Sequence, residues 1–264
     1  MRFDVITLFP ELFAPFLSAG INRRAFETGA VELKLWQLRD YADGTYRRVD
    51  DRPFGGGPGM VMLAEPLEKC LQAIRLDRAL KSPFETPVPV VLFSPIGQPL
   101  NHAGVEEWSQ SDGAILICGR YEGLDQRFID AHVDVQVSLG DFVLSGGEIA
   151  AIALLDALAR LQPGVLNDEG SHQMDSFNPA LDGLLDCGHF TRPEVWKDLN
   201  VPPVLMSGHH AEITKWRRQQ SLVLTQKYRP DLIVGARLAG KLSTQDENFL
   251  FSLGASGLVE SKSN

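Results

Sequence analysis

The chain alternates short runs of β-branched and apolar residues with longer helical segments, and this alternation most restricts how it can fold. The runs that predict strands lie at 2–9, 31–36, 88–93, 114–118 and 133–138. The segments that predict helices lie at 10–26, 64–80, 101–110, 124–131 and 146–160. Strands separated by helices are typical of a parallel sheet that is covered on both faces. We therefore expect an α/β fold for about the first 160 residues.

The pattern changes after this region. Residues 162–190 are rich in Gly, Pro, Asn and Asp and have no clear hydrophobic period, which is typical of a linker. A helical pattern returns at 209–228 and is ended by Pro230, and the end of the chain is also helical in character. We expect a second, smaller helical region after the linker.

The charge distribution restricts the class of partner. The formal net charge is −9, which argues against binding nucleic acid through the whole surface. Residues 191–264 nevertheless hold ten Lys and Arg against seven Asp and Glu, whereas residues 1–190 hold fifteen against twenty-seven. The C-terminal region is therefore the better place to expect phosphate contacts.

One stretch of the C-terminal region is strongly basic. Its positive residues, set against Glu212 alone, are Lys215, Arg217, Arg218, Lys227 and Arg229. Ile213, Trp216 and Val223 recur at helical spacing, so we expect them to dock the helix and to leave Arg217 and Arg218 outward. An RNA-contacting helix and an ordinary solvated helix face both fit this pattern.

The cysteine count and the apolar runs indicate a compartment. The three cysteines have no CxxC spacing, and an odd number fits a reducing cytosol. Asp4 and Glu11 interrupt the apolar N-terminus, which argues against a signal peptide. The longest apolar run, 149–155, is far shorter than the ~20 residues that span a bilayer. We expect a cytoplasmic protein without membrane association.

Three successive strands run into turns that contain glycine, at 93–97, 119–123 and 138–147. Ligands of parallel sheets bind at the carboxyl ends of the strands, and glycine lets the main chain approach a ligand closely. The turns together predict a pocket lined by main-chain N–H and C=O groups, which suits adenine or ribose better than phosphate. Any one of them alone is more simply explained as a tight turn.

Several common site motifs are missing. The chain has neither G-x-G-x-x-G after its first strand nor G-x-x-x-x-G-K-[ST], and it lacks the G-x-S-x-G elbow of serine hydrolases. The Gly-rich residues 55–59 are not followed by Lys-Ser or Lys-Thr, so we expect a surface loop there. The six histidines do not have zinc-site spacing, and we predict no metal ligand.

Arg160 and Asp175 each have a simple local explanation. Asp156 lies four residues before Arg160, which is the spacing of an ion pair on one helix face. Asp175 with Ser176 is typical of a turn or a helix N-cap. Composition and spacing leave further roles of both residues open.

Nine blocks in one order resemble the bacterial tRNA (guanine-N1)-methyltransferases, which belong to the SPOUT (trefoil-knot) methyltransferases. Among them are ICGRYEGLDQR at 117–127 and SLGDFVLSGGE at 138–148. The others lie at 3–13, 49–62, 92–100, 157–166, 174–177, 183–196 and 207–222. The resemblance covers almost the whole chain, so it is far more specific than any single motif.

The resemblance implies a fold, a reaction and an assembly. It implies a knotted α/β domain at 1–161 that binds S-adenosylmethionine, a flexible linker at 162–176 and a helical tRNA-binding domain at 177–264. The implied reaction is methylation of N1 of guanine 37 in tRNA, 3′ of the anticodon. A homodimer with an active site between subunits is implied, with no other protein partner. Related enzymes need Mg²⁺, whose ligands the sequence does not identify.

The resemblance also assigns residues. Asp175 matches the general base, and Arg160 matches the arginine that stabilises O6 of guanine. Lys215, Arg217 and Arg218 are the implied tRNA contacts. The residues matching the knot loops that hold S-adenosylmethionine are Leu92, Phe93, Ser94, Pro95, Gly119, Tyr121, Glu122, Gly123, Ser138, Leu139, Gly140, Phe142, Leu144, Gly146 and Gly147.

The chain departs from the family pattern at Phe142, where relatives often carry tyrosine. If that position acts through its main chain or ring face, the change is neutral; if a hydroxyl is needed there, adenosine binding is weaker in this chain. Two other classes of function fit the residues taken without the resemblance. One is a non-catalytic RNA-binding protein that uses an adenosine compound as a regulator. The other is an ordinary nucleotide-binding α/β enzyme, against which the missing glycine fingerprint argues.

Overall fold

The computed structural model describes residues 1–81, 87–166 and 172–260, with side chains as far as residue 253. The chain divides into two compact units, Met1–Asn167 and Asp168–Asn264. The strands of the first unit are β1 (Arg2–Thr7), β2 (Glu32–Gln37), β3 (Asp50–Asp51), β4 (Val61–Met62), β5 (Val90–Pro99), β6 (Gly113–Ile117) and β7 (Val135–Ser138). Its helices are α1 (Ala14–Ser18), α2 (Gly20–Glu27), α3 (Ala64–Lys81), α4 (His102–Ser109), α5 (Gln126–His132) and α6 (Glu148–Arg160).

The first unit is built on a five-stranded sheet in the order β2-β1-β6-β5-β7, and every pairing in it is parallel. The short strands β3 and β4 form a separate antiparallel pair. This architecture confirms the predicted α/β class with a parallel central sheet. It also places the three strands that lead into the glycine turns, β6, β5 and β7, side by side.

Helices cover both faces of the sheet and produce two apolar clusters. One cluster joins the sheet to α6 and includes Phe3, Val5, Leu116, Leu154 and Leu155. The other joins the sheet to α3 and includes Ile6, Leu67, Leu71, Leu92 and Ile115. All six residues of β1 are buried, as expected for a strand of a doubly covered parallel sheet, and the charged Arg2 and Asp4 among them form an ion pair at 2.6 Å.

The predicted helix at 10–26 is broken into three pieces. A 3-10 turn, Pro10–Phe13, precedes α1, and α2 follows after Ala19. Ala19 is extended and Gly20 has a φ of +59°, a conformation that suits glycine. The apolar period continues through the break, so the pattern alone could not reveal it.

The second unit has its own core. It contains the hairpin strands β8 (Val195–Trp196) and β9 (Leu199–Asn200) and the helices α7 (His210–Tyr228), α8 (Pro230–Leu238) and α9 (Thr244–Glu260). Its buried apolar residues include Leu184, Leu222, Ile233, Ala236 and Leu250.

The interpretation of 162–190 as one linker is wrong for its later part. Leu181, Leu184 and Cys187 are buried within the second unit. They are apolar side chains in a stretch that is otherwise rich in turn-forming residues. Two 3-10 turns, His172–Met174 and Pro179–Leu181, organise the stretch. Residues 167–171 of the predicted linker lie outside the described residues.

No helix in the described part of the chain is both long enough and apolar enough to cross a membrane.

Candidate functional site

The three glycine-containing turns meet around one pocket, which lies at the carboxyl ends of β6 and β7 and beside an excursion within β5. The cavity has a volume of about 380 Å³. All the residues predicted to bind a cofactor line it, namely Leu92, Phe93, Ser94, Pro95, Gly119, Tyr121, Glu122, Gly123, Ser138, Leu139, Gly140, Phe142, Leu144, Gly146 and Gly147. The structure therefore brings together the three turns that the sequence predicted to form one pocket, and the role of these residues as ligands stays a prediction.

The first turn is an excursion within a strand rather than the end of one. Phe93 pairs with Val137 of β7, and Gln98 pairs with the same residue after the main chain has moved away and returned. Residues 94–96 therefore protrude and line the pocket, whereas Gly97 lies against the main chain of β7. We predicted a strand that ends at residue 93; β5 continues to Pro99 because the main chain re-enters the sheet.

The second turn, after β6, is tight and strained. The Gly123 N–H donates to the Arg120 carbonyl oxygen at 3.2 Å, and Tyr121 between them has a φ of +60°. A non-glycine residue in this region of φ is uncommon and is found preferentially at functional sites. The turn is held from outside by the Glu122 N–H, which donates to the Met60 carbonyl oxygen at 2.9 Å.

The third turn packs directly on the second. The Gly147 N–H donates to the Gly119 carbonyl oxygen at 2.9 Å. A Cβ atom on Gly147 would lie 2.8 Å from Cys118 Cα, so two main chains touch here without an intervening side chain. At the other end of this turn, Ser138 Oγ accepts from the Gly140 N–H at 3.1 Å.

The pocket also contains a pair of charged residues that do not stand out in the sequence. Arg120 lines the cavity, and its Nε lies 2.9 Å from Oε2 of Glu148, whose side chain is only 1% exposed. An arginine in a glycine turn and a glutamate at a helix start are common, so spacing alone could not have paired them.

The cysteine beneath the pocket is not a candidate nucleophile. Burial raises the pKa of the Cys118 thiol well above its usual value, and the nearby Glu148 carboxylate raises it further. The thiol is therefore neutral at ordinary pH and acts as a small apolar side chain.

The match to known proteins decides the family. A family model described as tRNA (Guanine-1)-methyltransferase TrmD matches residues 1–235. The chain belongs to this family.

The chain is similar to other members of this methyltransferase family over nearly their whole length. The chain is 70% identical to a tRNA (guanine-N(1)-)-methyltransferase of Polaromonas sp. (strain JS666) over 253 residues, which is 96% of this chain and 97% of the relative. Proteins of the same printed name from Paracidovorax citrulli and Bordetella pertussis are 67% and 54% identical, each over 96% of this chain and 98% of the relative.

The two residues matched to the family's catalytic pair lie in different units. Arg160 is the half-buried last residue of α6 in the first unit. Asp175 is half-buried in the second unit, and its N–H donates to the His172 carbonyl oxygen at 3.2 Å. The turn expected at Asp175 is present. Asp156, expected to pair with Arg160, accepts a hydrogen bond from Asn22 Nδ2.

Of the three cations that the tRNA (Guanine-1)-methyltransferase pattern assigns to tRNA contact, Lys215 and Arg217 are exposed on α7. Arg218 differs from the prediction that it points outward. Its guanidinium donates to Asp182 at 2.7 Å and to both carboxylate oxygens of Asp246 at 3.0 Å. Two carboxylates thus neutralise Arg218 within the second unit. On α7 it lies between the face that packs on the rest of the unit and the face that is exposed.

Among the described residues, no group of three or more His, Cys, Asp or Glu side chains could hold a metal ion. The Mg²⁺ implied for related enzymes is therefore not placed on any of them.

Proposed function

We propose that the chain transfers a methyl group from S-adenosylmethionine to N1 of guanine 37 of tRNA, the base 3′ of the anticodon. The observation that carries the proposal is the family match across residues 1–235. The proposal includes the trefoil knot, the homodimer and the cytoplasmic location implied by the resemblance. It assigns S-adenosylmethionine to the first unit and tRNA contacts to the helices of the second.

The pocket fits the methyl donor. Its volume is within the ~300–1,000 Å³ usual for small-molecule sites. Main-chain groups of the three turns offer hydrogen bonds to adenine and ribose, and Leu92, Ile129 and Leu139 offer apolar contacts. S-adenosylmethionine, when bound, would supply a methyl group activated by its positively charged sulfur, which would keep the electron pair of the broken carbon–sulfur bond and leave as a neutral thioether.

Two side chains of this protein are assigned to the changes of charge on the guanine. N1 of guanine carries a proton, so the base is a weak nucleophile. We assign the Asp175 carboxylate to accept this proton as N1 forms its new bond to carbon, a contribution of about 10²–10⁴ in rate. Negative charge builds on O6 at the same time, and we assign the Arg160 guanidinium to stabilise it. The base must leave the anticodon stack to reach these groups.

Among the basic residues of α7, the exposed Arg217 is expected to contact tRNA. Replacing Arg217 by alanine is expected to weaken tRNA binding and to reduce the slope of log K against log [salt] by about 1, because one phosphate contact is lost. Filter binding at KCl concentrations from about 50 to about 300 mM, below and above physiological ionic strength, measures this slope. An unchanged slope would remove this face of α7 from the tRNA site.

Arg218→Ala is the matched comparison, and its main expected effect is on folding. The variant leaves the Asp246 carboxylate buried without its cation, which costs about 1–3 kcal/mol of unfolding free energy. Burial raises the pKa of Asp246, but hydrogen bonds from Arg218 and Ser243 outweigh burial and hold it below its usual value. The stabilisation is therefore present above about pH 4 and is lost as pH falls through the folded-state pKa. Urea unfolding at several pH values should show the wild-type advantage shrinking in acid.

Transfer of labelled methyl to an unmodified tRNA transcript with guanine 37 tests the proposal, beside the same transcript with adenine 37. Label on the guanine transcript alone supports donor, target and position together. Absence of label with S-adenosylmethionine still bound would favour a non-catalytic regulator. Absence of both label and cofactor binding would favour a different nucleotide ligand.

A further inference from the structure

Arg120 occupies the point where the second and third turns of the pocket meet. Its main chain pairs with Gly146 in an isolated antiparallel bridge. Its guanidinium Nη1 donates to the Ser145 carbonyl oxygen at 3.1 Å. One residue of the second turn therefore holds the third turn through both its main chain and its side chain.

The guanidinium has a buried counter-ion. Arg120 Nε and Glu148 Oε2 lie 2.9 Å apart, as an ion pair without the alignment of a hydrogen bond. The other carboxylate oxygen, Oε1, accepts from Thr7 Oγ1 at 2.8 Å. Glu148 also lies in the first turn of α6, where the helix dipole favours a negative charge. A carboxylate this deeply buried is stable only with such partners, so the position of Arg120 is strongly fixed.

Two further groups pack against the guanidinium. Arg120 Cζ lies 4.4 Å from the centre of the Phe9 ring, a cation–π contact. On the side of the third turn, a Cβ atom on Gly146 would lie 2.2 Å from Arg120 Nε. The guanidinium is thus packed between an aromatic ring and bare main chain.

The segment that Arg120 holds has little other support. Residues 141–145 are all exposed, and Phe142, Val143 and Leu144 line the pocket while remaining 56%, 85% and 38% exposed. Such a segment gains little stability from apolar burial. It is fixed at one end by the hydrogen bonds between Ser138 and Gly140 and at the other end by the contacts of Arg120.

We propose that Arg120, with Glu148 as its buried counter-ion, is the positioning residue that shapes the third turn for S-adenosylmethionine. Arg120 acts through Ser145 and Gly146 and contacts none of the reacting atoms. This inference rests on the proposed function, because it takes that cofactor as the ligand of the pocket. It predicts an effect on cofactor affinity that is separate from the methyl-transfer step.

Arg120→Lys tests the proposal, because lysine keeps the charge but lacks the planar group that reaches Glu148 and Ser145 together. We expect the Kd for S-adenosylmethionine, measured by calorimetry, to rise about ten- to a hundredfold. The kcat at saturating cofactor should stay within about threefold of wild type, and the KM for tRNA should not change. Arg127→Met is the matched control, since this neighbouring side chain is 81% exposed and pairs only locally with Asp125.

A double variant separates positioning from general stability. Arg120→Met and Glu148→Gln should each lower the thermal unfolding midpoint, because each leaves a partner buried and unpaired. Arg120→Met combined with Glu148→Gln should recover much of that loss. Cofactor affinity should stay weak in the double variant, because Ser145 has lost its donor.

The outcomes are distinguishable. Wild-type cofactor affinity in Arg120→Lys and in the double variant would overturn the positioning role and leave the proposed function intact. A large loss of kcat at saturating cofactor with unchanged affinity would instead assign Arg120 to the chemical step. If the wild-type protein does not bind S-adenosylmethionine, the proposed function fails, and this inference fails with it.

Discussion

Asp175→Asn is expected to lower the rate of methyl transfer by about 10²–10⁴ while leaving S-adenosylmethionine binding unchanged. The amide matches the carboxylate in size but cannot accept the N1 proton. Cofactor binding should persist because the predicted pocket is built entirely from the first unit, whereas Asp175 belongs to the second. Single-turnover transfer with enzyme in excess, beside calorimetry for the cofactor, measures the two quantities independently.

Asp198→Asn is the matched control for this experiment. Asp198 is an exposed residue of the second unit with a φ of +63°, a conformation that asparagine also accepts. It should transfer methyl at the wild-type rate. Near-wild-type turnover in Asp175→Asn would show that another group takes the proton, and a loss of tRNA binding would show that Asp175 acts before chemistry.

Gly147→Ala is expected to damage both the stability of the protein and the pocket. The new Cβ would lie 2.8 Å from Cys118 Cα and 3.2 Å from Gly119 N, so one main chain must move. The φ of −78° at Gly147 is ordinary, so the cost comes from the collision rather than from conformation. We expect about 1–3 kcal/mol of lost unfolding free energy and at least about tenfold weaker cofactor binding.

Gly104→Ala provides the comparison. Its Cβ would meet only Asn101 Oδ1, at 3.6 Å, and the residue lies within α4. Alanine at a helical position should therefore raise the free energy of unfolding by up to about 1 kcal/mol. Urea unfolding of both variants tests the pair. A Gly147→Ala protein as stable as wild type and with the same cofactor affinity would contradict the close packing of the two turns.

The sequence predicted the sheet well because its central strands β1 and β6 are buried on both faces. Apolar residues fill every position of runs such as 114–117, so length and composition identify them directly. The three glycine turns could be assigned to one pocket because helices between strands predict parallel strands, whose carboxyl ends are where ligands of such sheets bind.

The features that were missed depend on contacts between distant residues. The ion pair of Arg120 with Glu148 joins two turns that only the fold brings together. The position of Arg218 depends on Asp182 and Asp246, which lie 36 and 28 residues away along the chain. The break at Ala19 depends on a main-chain conformation that the apolar period does not record.

The excursion in β5 has a consequence for how the pocket can change. Phe93 and Gln98 pair with the same residue of β7, so the register of β5 shifts across the excursion and pairing then resumes at the point on β7 where it stopped. Residues 94–96 can therefore be lengthened, shortened or replaced without displacing the strands on either side, whereas Gly97 must stay glycine because a Cβ atom there would lie 2.4 Å from Val137 N. The wall of the pocket can vary independently of the framework that carries it, and ligand preference can drift while the architecture stays constant.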